Sequence, residues 1–309
     1  VRFSMYPQVW ETTVAEIESA GHQYLPAEEG IIPDNIDFLV YNGGGKQFPE
    51  LPESVRYVQT TYAGLDDLLK ENKLTDKVRW ANAKGLFAST VAESALGLIL
   101  ASYHKHKSIA MAATWSVQAE IDASTQWLYD HKTVAIIGAG GIGEELIKLL
   151  RPFQPHIIAV TNSGREVPGA DESIAMDKAS QVWDRADIVV LLVPLSDRTR
   201  GMVNVDVFRR MKKDALLVNV GRGGLVNTED LVRALEEGEI GGAALDVTDP
   251  EPLPDGHPLW KMDNVLITPH TANTKERTKV LVGDLAVRNA AAFEQGAAMP
   301  NEVDVAQGY

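Results

Sequence analysis

Thr133–Val134–Ala135–Ile136–Ile137–Gly138–Ala139–Gly140–Gly141–Ile142–Gly143 decides how this chain is read. The apolar, branched run up to Ile137 reads as a buried parallel strand. Gly138, Gly140 and Gly143 follow at G-x-G-x-x-G spacing. Glu144–Glu145–Leu146–Ile147–Lys148–Leu149–Leu150 then has helical periodicity, with acids in its first turn. Strand, tight turn and helix form the context of a dinucleotide site. Gly138 permits the turn and Gly140 lets backbone approach a pyrophosphate. Gly143 lets the helix pack on the strand, and Gly141 and Ile142 sit where helix N-terminal amides face the phosphates.

Outward from this turn the chain alternates strand and helix patterns. Ahead of it, strands are expected at Arg2–Tyr6, Ile36–Tyr41 and Val55–Thr60, and helices at Thr12–Ala20 and Thr90–Ala101, the latter crossing between two domains. Behind it, strands are expected at Ile157–Thr161, Ile188–Val193, Leu216–Val220, Ala243–Val247 and Val265–Thr268. Helices should start near Lys178, Asp206 and Thr228, with Thr228 as an N-cap, and a last one should run from Lys275 to Gln295. Such alternation implies parallel sheets, with ligands outside the carboxyl ends of the strands.

The bulk properties exclude several functions. With 309 residues the chain can hold two domains. A formal net charge of −14 disfavours nucleic acid and anionic lipid as partners. The chain has no cysteine, so disulfides, thiolate catalysis and cysteine zinc sites are impossible, and a reducing cytoplasm fits. The N-terminal residues show no signal-peptide pattern, and no apolar run approaches a membrane span. His104 and His106 would point about 200° apart on a helix, which rules out a shared metal there. Trp115 and Trp127 lie in segment 108–131, where a subunit contact and packing on the chain's own core are both open.

Three polar residues follow strand ends in the second half. Arg222 can fork onto a carboxylate and its neighbouring carbonyl. His270 suits acid–base work, and Glu251 can orient its ring. Glycine-bearing loops also close two early strands: Gly43 and Gly44 follow Tyr41, and Ala63–Gly64 follow Thr60. Bare amides there can hold a carboxylate, although ordinary turns are built the same way.

The combination resembles the D-isomer-specific 2-hydroxyacid dehydrogenases. The matching motifs are Gly138–Gly143, Val193–Pro194–Leu195 with Thr199–Arg200–Gly201, Asn219–Val226, Ala244–Val247, Glu251–Leu253 and Thr268–His270. Ala63–Asp66 and Val91–Glu93 add to the match, which spans almost the whole chain. The resemblance implies two doubly wound parallel-sheet α/β domains: a flavodoxin-like substrate domain (1–100 plus 275–309) and a Rossmann nucleotide-binding domain (101–274).

By the same resemblance, Arg222 binds substrate, Glu251 supports His270, and His270 is the acid/base. Asp246 holds the nicotinamide carboxamide, while Val193, Pro194, Val220 and Gly221 join the glycine turn in binding cofactor. The Gly43–Gly44 and Ala63–Gly64 loops take the substrate carboxylate. The implied reaction interconverts a small 2-keto acid and a D-2-hydroxy acid without a metal, glyoxylate or hydroxypyruvate being the best-fitting substrates. The site should lie in a cleft between the domains, and the active form should be a homodimer. Phosphoglycerate dehydrogenase and a nucleotide-sensing corepressor are alternatives within the same family.

One departure concerns the cofactor. The fingerprint expects an acid at the second strand's end to hold the ribose hydroxyls. Here Thr161, Asn162, Ser163, Gly164 and Arg165 stand instead. Hydroxyls, an amide and a guanidinium accept a 2′-phosphate, so NADP(H) is expected to be preferred, with NAD(H) possible.

Overall fold

The computed structural model describes residues 1–28 and 30–305. The chain folds into two compact units, Val1–Phe87 with the segment from Thr274, and Ala88–Asn273. The last four residues of the expected 275–309 segment lie outside the described residues.

The first unit is built on five strands: β1 (Arg2–Tyr6), β2 (Gln23–Tyr24), β3 (Phe38–Tyr41), β4 (Tyr57–Thr60) and β5 (Arg79–Ala81). All pair in parallel, in the order β2-β1-β3-β4-β5. This is the flavodoxin-like order, with its switch point between β1 and β3. Every side chain of β3 and β4 is buried: β3 is apolar throughout, whereas β4 also buries Gln59 and Thr60, whose side chains donate to backbone carbonyls. Helix α1 (Glu11–Ser19) stops ahead of Gly21, whose φ of 84° ends the helix in a conformation glycine adopts freely. A short α2 (Asp66–Lys70) follows β4.

The second unit carries seven strands: β6 (Thr133–Ile137), β7 (His156–Thr161), β8 (Glu172–Ala175), β9 (Ile188–Leu191), β10 (Leu216–Asn219), β11 (Gly242–Leu245) and β12 (Val265–Ile267). They run parallel in the order β12-β11-β10-β9-β6-β7-β8. Chain order reverses at β6, so the crevice for a ligand opens beyond the ends of β6 and β9. Helices α3 (Ala88–Tyr103), α4 (His106–Ala112), α5 (Gln118–Ser124), α6 (Gly141–Leu150), α7 (Val205–Phe208), α8 (Thr228–Glu236) and α9 (Pro258–Lys261) complete the unit.

Helix α10 (Lys275–Glu294) returns to the first unit. It crosses α1 closely: a Cβ on Gly283 would lie 2.7 Å from Glu16 Cβ. Thr13 Oγ1 donates to Lys279 O at 2.6 Å, and Val282, Ala286 and Ala290 join Phe3, Phe38 and Tyr57 in one core.

Several sequence expectations need correction. The domain boundary falls at 87/88 instead of 100/101, because α3 packs on α6 and along β10–β12, so all of it belongs to the second unit. Residues 176–181 form a 3-10 helix in place of an α-helix. The N-cap of α8 is Asn227, whose side chain accepts from Asp230 N at 3.0 Å; Thr228 Oγ1 instead donates to Asp249 O. His104 and His106 do not share a helix, since Lys105 has a φ of 56° and separates α3 from α4. Among the described residues no helix is long and apolar enough to cross a membrane.

Candidate active site

The glycine turn forms as its spacing predicts. Gly138 has a φ of 98°, and a Cβ there would lie 2.6 Å from Val193 N. The turn therefore packs onto the backbone after β9, which brings Val193 and Pro194 to the switch point. At Gly143 a Cβ would meet Ile136 Cγ2 and Ala139 Cβ at 3.2 Å, so helix and strand close tightly there. By contrast, a Cβ on Gly140 or Gly141 would meet nothing within 4 Å. Gly140 caps α6 without a side-chain acceptor, leaving the first-turn amides of Gly141, Ile142 and Gly143 for an anion.

The end of β7 adds a second observation. Thr161 is buried and its Oγ1 has no hydrogen-bond partner, which is costly unless a ligand completes it. Asn162 and Ser163 beyond it are exposed. Arg165 is engaged: Nη2 bonds Glu144 Oε1 at 2.5 Å and reaches Ala139 O at 3.4 Å. The open glycine pair, the uncapped amides and the orphaned threonine together fit a dinucleotide.

Arg222, Glu251 and His270 lie on the three loops at the carboxyl ends of β10, β11 and β12, and the first and last of these loops are each shaped by a buried polar side chain. After β10, Asn219 accepts from Gly221 N at 3.1 Å and donates to Arg222 O at 2.9 Å. This folds the loop so that the Arg222 side chain is exposed, with Nη1 on Gly221 O at 2.8 Å. Val220 is buried beneath it. A Cβ on Gly223 would lie 1.9 Å from Thr248 O, so this loop and the one after β11 are in backbone contact.

After β11, Asp246 is 2% exposed and organises the next loop. Its carboxylate accepts from Thr268 Oγ1 at 2.6 Å, Thr271 N at 2.8 Å and Ala272 N at 3.1 Å. Its carbonyl accepts from His270 N at 2.8 Å. His270 is held at a φ of 53°, a strained conformation that persists because Asp246 fixes both sides of it. Its Nδ1 then lies 2.5 Å from Glu251 Oε1, and both side chains are partly open to solvent. A carboxylate on Nδ1 fixes the ring and leaves Nε2 free for a reacting group.

In the first unit the early loops are shaped by phenols. Tyr41 OH donates to Gly44 O at 2.5 Å and Tyr62 OH to Gly43 O at 2.9 Å. Burial pushes the Tyr41 phenol up to about 12 and Tyr62 higher still, so both remain donors. Gly45 N donates to Asp67 Oδ2, while Asn82 Nδ2 donates to Ala63 O ahead of Gly64. The Gly43 and Gly44 amides have no acceptor among the described residues.

A profile of the D-isomer specific 2-hydroxyacid dehydrogenase NAD binding domain matches residues 96–272. The chain belongs to the D-isomer-specific 2-hydroxyacid dehydrogenase family. Over 309 residues, 100% of both chains, it is 55% identical to an uncharacterized protein in the proB 3′ region of Corynebacterium melassecola. It is 32% identical over 251 residues to a glyoxylate reductase of Thermofilum pendens, covering 80% of this chain and 74% of that one. Its fold matches a D-isomer specific 2-hydroxyacid dehydrogenase of Xanthobacter autotrophicus in complex with NADPH and MES, with a TM-score of 0.79 and 23% identity. That match covers 100% of this chain and 99% of the other.

In this member of the family the structure pairs His270 with Glu251 and leaves Arg222 on an adjoining loop. Two relationships were not legible in the motifs. Asp246 commits its carboxylate to the His270 loop, and Glu144 is the partner of Arg165. An acid in the first helical turn was the only local signal for the second.

Proposed function

We propose that this dehydrogenase reduces a small 2-keto acid to a D-2-hydroxy acid and prefers NADPH. The observation that carries this reading is the His270–Glu251 pair, set on the sheet that also bears the glycine turn. Arg222 binds the substrate carboxylate and polarises the adjacent carbonyl. Reduced nicotinamide, when bound, supplies hydride for the carbonyl carbon. His270 gives the Nε2 proton to the carbonyl oxygen, and Glu251 steadies the ring as its charge changes. Asp246 keeps His270 in place; Thr161, Asn162, Ser163 and Arg165 receive the 2′-phosphate end of the cofactor.

The Gly43–Gly44 and Ala63–Gly64 loops supply amides for the carboxylate. Glyoxylate and hydroxypyruvate are the substrates we favour, in keeping with the glyoxylate reductase of T. pendens. The active form is a homodimer joined through segment 108–131. Helices α4 and α5 bury no side chain, and Trp115 is 84% exposed, so a second copy would cover apolar surface that the chain itself leaves open. The test is a panel of 2-keto acids assayed with NADPH and with NADH. Turnover of C2–C3 keto acids with NADPH ahead of NADH is expected; failure of every 2-keto acid would overturn the reading.

A further inference from the structure

We infer that Glu144 sets how strongly the cofactor site discriminates in favour of a 2′-phosphate, by competing for Arg165. The inference rests on the dinucleotide reading and adds to it a residue that the fingerprint does not include. Glu144 is the fourth residue of α6, with its amide bonded to Gly140 O at 2.8 Å. Its carboxylate thus stands one turn from the amides that face the pyrophosphate. Arg165 comes from the other side, on the loop that leaves β7. The guanidinium joins the two, bonding Glu144 and lying against Ala139 O in the glycine turn. Arg165 is the cation of the loop that succeeds Thr161, and in this structure a carboxylate already holds it.

The consequences differ for the two cofactors. A ribose with free hydroxyls makes no demand on the guanidinium, so the Glu144–Arg165 pair stays intact and neutralises an acid that would otherwise oppose the pyrophosphate. A 2′-phosphate carries close to two negative charges and draws the guanidinium away from Glu144. Glu144 is then left near the phosphates with less compensation, and that loss offsets part of what the new contact contributes. Both side chains of the pair are partly exposed, at 47% and 36%, which keeps the exchange small and salt-dependent. Glu144 therefore moderates the preference for NADPH and keeps NADH usable. An acid at the end of β7 would act differently, by binding the ribose hydroxyls directly.

The test measures binding and needs no turnover. Dissociation constants for NADPH and NADH are taken by calorimetry on the full chain, for wild type, Glu144→Gln, Arg165→Ala and the double variant. Glu144→Gln should raise the NADPH-over-NADH affinity ratio about threefold, the scale of an exposed ion pair. In the Arg165→Ala background the same change should leave the ratio unaltered, since no guanidinium remains to compete for. High salt should shrink the gain. A ratio that stays level or falls in Glu144→Gln, with both cofactors still bound, would overturn the inference and leave the dinucleotide reading standing. A gain that persists without Arg165 would overturn it too, by showing plain repulsion. Wild type that binds neither cofactor would defeat the dinucleotide reading and this inference with it.

Discussion

Two alanine substitutions in one turn should have opposite consequences. At Gly138 the φ is 98° and a Cβ would approach Val193 N to 2.6 Å and Leu192 C to 2.8 Å. An L-residue in left-handed backbone costs about 1–2 kcal/mol. The clash is with backbone at the end of a buried strand, which cannot swing aside as a side-chain tip would, and such overpacking costs about 1–3 kcal/mol more. Gly138→Ala should thus destabilise the second unit by about 2–5 kcal/mol, or roughly 5–15 °C in Tm. Gly140 has an extended backbone and open space around a Cβ. Gly140→Ala should change stability by less than about 0.5 kcal/mol, as for an unstrained surface position. Its cost should appear when the pyrophosphate arrives, because the methyl occupies the line of approach. We expect a loss of at least about tenfold in NADPH affinity. Thermal unfolding followed by circular dichroism, with calorimetric titration of each variant, separates the two effects. A Gly140→Ala protein that binds both cofactors like wild type would refute the placement of the pyrophosphate over this turn.

Other expected outcomes are as direct. His270→Ala should lower kcat by about two to four decades, the range for a lost general acid, with folding intact by circular dichroism; near-normal turnover would remove His270 from that role. Sedimentation should find a dimer, and Trp115→Asp should shift it to monomer, whereas a monomeric wild type would end the proposal for the 108–131 arm. Glu302 is paired with Arg79, which holds its carboxyl below the usual range. The folded pKa is depressed, so the stability it contributes is present above the unfolded value near 4.5 and is lost as pH falls through the folded one. Acid unfolding of Arg79→Met should therefore begin at higher pH than wild type; coincident transitions would show that the pair contributes nothing.

What could be read in the sequence was local. The strand, turn and helix around Gly138 are contiguous, so spacing alone specified them, and β1, β3 and β4 were legible as short stretches rich in apolar and aromatic residues. Strand β8 did not, because Glu172–Ala175 is a half-buried edge with polar residues. The domain boundary depended on what α3 packs against, which no pattern within α3 records. The helical arm left two readings open in sequence; Trp115 and Trp127 both prove exposed, and Trp127 also lies with its ring 4.7 Å from that of His104. In the site, residue types at strand ends were legible, but their supports were not. Asp246 meets its amide donors 25 and 26 residues later, and Glu144 meets Arg165 across 21 residues. Such pairings are made by the fold, and the sequence shows only that the partners exist.

The proposed reaction is hydride transfer to C2 of a 2-keto acid, giving a D-configured product. Hydroxypyruvate incubated with NADPH deuterated at C4 of the nicotinamide tests it in one experiment. Glycerate of D configuration is expected, with deuterium at C2 from one face of the cofactor and at least about tenfold faster formation in wild type than in His270→Ala. Glycerate of L configuration, or no transfer of deuterium from the cofactor to this or any other 2-keto acid, would contradict it.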